Sequence, residues 1–129
     1  MILACHGDDG SVLLPELAPE VERHQPFHGR ITPDDLRSFA RLDGATVIAT
    51  GCDTGHPDLV QAVLDCGAAA YVAPRGAPFG YASLFAPVFL FYELTEGRSL
   101  AEAVDRLRRH DPELHMWALD DRGGVVGAG

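Results

Sequence analysis

The chain has 129 residues, 47% hydrophobic and 22% charged, an ordinary globular composition for a single domain spanning 1–129. A formal charge of −9, from 19 acidic and 10 basic residues, argues against a partner bound by neutralising nucleic-acid phosphates. The longest apolar run is broken by Pro87 and Glu93 and is too short to cross a bilayer, so neither a nucleic acid nor a membrane is expected as a partner.

Three cysteines without framework spacing fit a reducing compartment better than a disulfide scaffold. The chain enters an apolar run at Met1 with no charged leader, which predicts no signal peptide and a cytoplasmic location.

In chain order, residues 1–5 and 45–50 are short apolar runs with little polar alternation, the pattern of strands buried on both faces of a parallel sheet. The stretch 15–29, punctuated by Pro15, Pro19 and Pro26, reads as a loop in which Leu17 and Val21 anchor at most one helical turn. Thr32-Pro33-Asp34-Asp35 opens a helix through Arg41, with threonine as cap, proline at the first helical position and acids at the positive end of the dipole.

Residues 57–66 carry Leu59, Val60, Val63 and Leu64 on one face, and Gly67 stands where a left-handed cap belongs. A third buried strand is expected over 69–73 and a loop rich in proline and glycine after it. The segment 81–96 is a helix too apolar to have a wet face, either starting near Pro87 or kinked there. Ser99-Leu100-Ala101-Glu102 is a capping box for a surface helix with Leu100, Ala103, Val104 and Leu107 on its stripe. A strand over 114–119 closes the sheet, and 123–129 is a frayed tail.

This alternation implies parallel strands joined by right-handed crossovers: an α/β fold, a three-layer α/β/α sandwich around a small, mostly parallel sheet. Open α/β sheets place their sites beyond the carboxyl ends of the strands. There the chain carries Cys5-His6-Gly7-Asp8-Asp9-Gly10 after the first run and Gly51-Cys52-Asp53-Thr54-Gly55 after the second. A histidine and a cysteine at two strand ends suggest a nucleophile and its base.

The 46 residues from His6 to Cys52 are close to the histidine-to-cysteine spacing of about 50 in caspases, and His6-Gly7-Asp8-Asp9-Gly10 resembles their His-Gly-acid-acid-Gly turn. The segments Ile31-Thr32-Pro33-Asp34-Asp35-Leu36, Val47-Ile48-Ala49-Thr50-Gly51-Cys52-Asp53-Thr54-Gly55, Gly67-Ala68-Ala69-Ala70-Tyr71-Val72-Ala73 and Gly97-Arg98-Ser99-Leu100-Ala101-Glu102-Ala103 resemble, in order, the CHAT domains, bacterial relatives of caspases. Thr50-Gly51-Cys52 stands in place of the caspase Gln-Ala-Cys-x-Gly signature, so cleavage after aspartate is not implied. Members of the family carry two more strands before the histidine strand. Their absence from this sequence leaves an open sheet edge, which either a homodimer or an upstream domain covers, or the core is a reduced version of the fold.

The resemblance implies a cysteine endopeptidase acting on a protein or peptide substrate, with Cys52 as nucleophile and His6 as general base. The amides of Gly7 and Cys52 form the implied oxyanion hole. Asp53 either faces the cleft to meet a basic substrate group or is a solvated or capping carboxylate; Arg75 either receives an acidic substrate group, Asp8 or Asp9, or is a solvated loop residue. His56 is a second base, a ligand or a helix-start hydrogen-bonding residue, whereas Cys5 and Cys66 read as core. Zinc accepts the residue types of His6, Cys52, His56 and Asp58, but without paired ligand spacing no metal is assigned, and the chemistry needs no cofactor. The alternative is a non-catalytic interaction module of the same fold that self-associates or binds a protein through its sheet edge or its aromatic helix.

Overall fold

Short β-branched and alanine-rich runs build the centre of the computed structural model, which describes residues 1–122. Strands β1 (Ile2–Leu3), β5 (Thr46–Ala49), β6 (Ala70–Pro74) and β7 (Trp117–Asp121) form a four-stranded sheet in the order β1-β5-β6-β7. The β1·β5 and β5·β6 pairs are parallel, and β6·β7 is antiparallel. The protein is therefore a mixed α/β fold on a small mixed sheet, with five α-helices among the described residues. The tail 123–129 lies outside them.

Alternation along the central strands sends successive side chains to opposite faces. On one face Val47, Ala49, Tyr71 and Ala73 join Leu59, Val60 and Val63 of α3 (Pro57–Asp65). Helix α2 (Pro33–Phe39) packs beside α3. On the other face Ile48 and Val72 meet Ala82, Ala86 and Leu90 of α4 (Gly80–Thr95) and Ala103, Val104 and Leu107 of α5 (Leu100–Arg108).

The helix starts follow their sequence signals. Thr32 and Ser99 each make a complete capping box, with Asp35 and Glu102 reaching back to the cap amides. Gly67 adopts a left-handed φ of +102° just past α3, as a C-terminal cap requires. Helix α2 ends at Phe39, two residues before the expected Arg41, because Ala40 is already extended. Pro87 lies inside α4, which neither starts nor stops there.

Three expectations change. The closing strand runs antiparallel: α4 and α5 cross the sheet twice in succession, so the chain returns to the carboxyl end of β6 and Trp117 enters opposite Pro74. Residues 114–116 form a 3-10 turn rather than the start of that strand, and Met116 O accepts the Arg75 amide at 2.8 Å. Finally, the first apolar run yields only two residues to the main sheet, after which β2 (His6–Asp8), β3 (Ser11–Leu13) and β4 (Arg30–Ile31) form a separate antiparallel sheet. Asp9 and Gly10 have φ of +47° and +73° between β2 and β3, the left-handed pair of a tight hairpin. Within 15–29 the one helical turn is α1 (Pro19–Glu22).

Strand β1 is a sheet edge, bonded only to β5, where the Met1 carbonyl accepts from Ile48 and the Leu3 carbonyl from Thr50. Its Ile2 is exposed. No helix among the described residues is long and apolar enough to cross a membrane.

Candidate functional site

Parallel pairing of β1 with β5 sets Leu3 beside Ala49, so the residues that follow each strand emerge at the same end of the sheet. The close approach there is between glycines and backbone. A methyl group on Gly7 would overlap the Cys52 carbonyl oxygen, and one on Gly51 would stand 2.9 Å from the Gly7 nitrogen and 3.0 Å from both the Cys5 carbonyl oxygen and its sulfur. The two motifs thus meet through positions where only glycine fits.

The chain after β5 is held mostly through its carbonyls. The Trp117 indole donates to Ala49 O at 3.1 Å, Ser83 Oγ to Thr50 O at 3.0 Å and Thr54 Oγ1 to Gly51 O at 2.7 Å. The Tyr71 hydroxyl donates to Thr54 O at 2.8 Å, and burial pushes its phenol far above the ordinary range, so it remains a donor. These four anchors come from β7, α4, the loop itself and β6. Tyr71, Thr54, Ser83 and Trp117 were not singled out in the sequence as site residues; a buried tyrosine or tryptophan needs a partner for its polar tip, which is the available signal.

The amides of the same loop after Cys52 are committed. Asp53 donates to Gly76 O at 2.7 Å, Thr54 to Gly51 O at 3.3 Å, Gly55 to Pro74 O at 2.8 Å and His56 to Asp53 O at 3.1 Å. Among the described residues no acceptor takes the Cys52 amide. The Cys52 side chain is half-buried and its thiol is free.

His6 is exposed and pairs with Leu13 across β2 and β3. Its side chain shares the exposed face of β2 with Asp8, while Gly7 turns to the Cys52 carbonyl. No hydrogen bond joins the His6 imidazole to the Cys52 thiol. The structure therefore brings Gly7, Gly51 and Cys52 into contact and leaves His6 one residue away from that contact with an unbonded ring.

Asp53 occupies a left-handed turn at φ +53° and caps no helix. His56 takes the cap instead: its Nδ1 accepts from the Asp58 amide at 3.2 Å, and its ring packs so closely under Gly10 that a methyl there would sit 2.9 Å from it. Of the three roles open to His56, the helix-start hydrogen bond is the one the fold uses. Arg75 binds neither Asp8 nor Asp9; its Nη2 reaches both carboxylate oxygens of Asp120 on β7 at 3.0 and 2.9 Å. The bonds of Asp53 and Gly55 to Gly76 and Pro74 nevertheless keep Arg75 beside the Cys52 loop.

Burial raises the thiol pKa of both other cysteines, with the Gly51 amide partly offsetting it at Cys5 and the charges of Arg37 and Arg41 partly offsetting it at Cys66. Cys66 also donates to Leu36 O at 3.6 Å. Cys66 is buried as a core thiol, whereas Cys5 is only half-buried. Among the described residues no group of three or more His, Cys, Asp or Glu side chains is placed to hold a metal ion. No protein-family model matches this chain, and no curated protein matches it.

Proposed function

We propose that this domain is a cysteine endopeptidase of the caspase-like class, built as a three-layer α/β/α sandwich that resembles CHAT domains and acting on a protein or peptide substrate in the cytoplasm. The observation that carries the reading is the uncommitted Cys52 amide beside a partly exposed Cys52 thiol, in a loop whose following amides from 53 to 56 are all taken. A donor held without an acceptor at a strand end suits the oxygen of a bound carbonyl better than it suits a structural turn.

In the proposed mechanism, His6 takes the thiol proton as the Cys52 sulfur attacks the peptide carbonyl carbon. The negative oxygen of the tetrahedral intermediate lies against the Cys52 and Gly7 amides. His6 then protonates the departing amine as the C–N bond breaks, leaving a thioester. Water, deprotonated by His6, attacks the thioester, and the free acid and the thiol re-form. Asp53 and Arg75 supply opposite charges at the rim, where they meet charged groups of the substrate. In this reading the His6–Cys52 hydrogen bond forms only when substrate binds, as catalytic hydrogen bonds often do.

The test is the rate at which iodoacetamide labels Cys52 between pH 5 and 9. Expected is a Cys52 rate well above those of Cys5 and Cys66, which His6→Ala slows by roughly tenfold at pH 7. A Cys52 rate that His6→Ala leaves unchanged would favour the second reading, a non-catalytic module, which the absence of a bond between His6 and Cys52 supports.

A further inference from the structure

Helix α4 is built inside out. At 100° per residue its core-facing side carries Ala82, Ala86, Leu90 and Glu93, mostly small, while Tyr81, Leu84, Phe85, Val88, Phe91 and Tyr92 form a stripe about 120° wide on the opposite side. All six are exposed, Leu84 at 72% and Val88 at 63%, and Phe79 at the cap is exposed at 70%. A helix that is apolar all round is one whose second face is also meant to be covered.

We propose that this face is covered by the same face of a second copy of the chain, in a two-fold symmetric antiparallel helix pair centred on Val88. Val88 lies at the middle of the stripe around the helix and next to the midpoint of α4 along it. An antiparallel pair on that centre sets Leu84 against Tyr92, Phe85 against Phe91 and Tyr81 against Thr95, with a small β-branched side chain at the axis where the two helices come closest. Every facing pair is apolar or uncharged. Two copies of a chain with a charge of −9 repel, and on this surface the acids that touch the patch, Asp111 and Glu113, sit at its Tyr81 end, where they accept from the Tyr81 hydroxyl and the Phe79 amide.

The size is also that of a dimer interface. The six stripe side chains expose on the order of 650 Å² per copy, taking roughly 200 Å² for each fully exposed side chain, and a standard interface buries about 600–1,000 Å² on each partner. The inference goes beyond the proposed peptidase activity and uses none of its residues.

Sedimentation velocity on the full chain from about 1 to 100 µM tests it. Expected is a dimer that Val88→Glu converts to a monomer with unchanged circular dichroism and thermal midpoint, since position 88 is exposed in the single chain. In a parallel experiment, Val88→Cys forms an interchain disulfide under mild oxidation in a Cys5→Ala, Cys52→Ala, Cys66→Ala background, because the axis places residue 88 opposite its own copy. A wild-type monomer throughout the range overturns the proposal. So does a dimer that survives Val88→Glu and fails to cross-link through Val88→Cys, which would place the contact elsewhere, such as the β1 edge.

Discussion

A methyl group at position 7 would meet the Cys52 carbonyl oxygen and stand 2.7 Å from the Thr54 methyl, both in a loop that four side chains hold still. Gly7→Ala therefore forces the two motifs apart, with an expected loss of about 1–3 kcal/mol of stability in urea denaturation. Trp117→Phe removes the donor to Ala49 O together with part of a fully buried indole, leaving a buried carbonyl unpaired beside a small void. Its expected cost is about 1–3 kcal/mol, accompanied by a change in the Cys52 labelling rate because the carboxyl end of β5 is no longer pinned. The glycines and the cysteine were visible in the sequence as punctuation after apolar runs. Trp117 was not, because 68 residues separate it from Ala49 and nothing local links the two.

At the scale of elements, the helix termini are the most legible part of the chain. The Ser99 amide and hydroxyl hold the Glu102 carboxyl below its ordinary range, closing the start of α5. A lowered folded-state pKa means that this contribution is fully present above the unfolded value, about 4.3, and is lost as the pH falls through the lower folded value. Glu102→Gln is thus expected to flatten the acid limb of a thermal midpoint profile below that pH while leaving the profile near neutrality shifted by a constant.

The junction of α4 and α5 depends on a different device. Glu93 is buried, and Arg98 and Arg106 both reach its Oε2, at 3.0 and 2.8 Å, off the hydrogen-bond direction, so the contact is ionic rather than directional. Removing both arginines strands a buried carboxylate, with an expected loss of about 3–5 kcal/mol, whereas Glu93→Leu together with the arginine truncations recovers most of it; chemical denaturation of the three variants measures the difference. An acid inside an apolar helical run was read as an interruption of that run. Only the packing of α5 against α4 shows it as an anchor.

For the whole molecule, net charge and the uncovered α4 face act against each other. A chain of charge −9 associates more tightly as salt screens the repulsion, so the proposed dimer is expected to strengthen between 0.02 and 0.2 M sodium chloride, the opposite of an interface held by ion pairs, with sedimentation as the measure.

The sequence by itself determined the α/β class, the order of the main elements, the Thr32 cap, the Ser99 capping box and the two glycine-bounded motifs, because each depends on residues within a few positions of one another. The small second sheet and the antiparallel β7 came from the structure, which turns the chain at Asp9-Gly10 and passes through two helices before β7. The tertiary structure alone decided which carbonyls of the Cys52 loop are held, that its amide at Cys52 is left over, that Arg75 pairs with Asp120, and which face of an all-apolar helix turns outward. These are choices between groups far apart in the chain, where neither propensity nor periodicity discriminates and packing does.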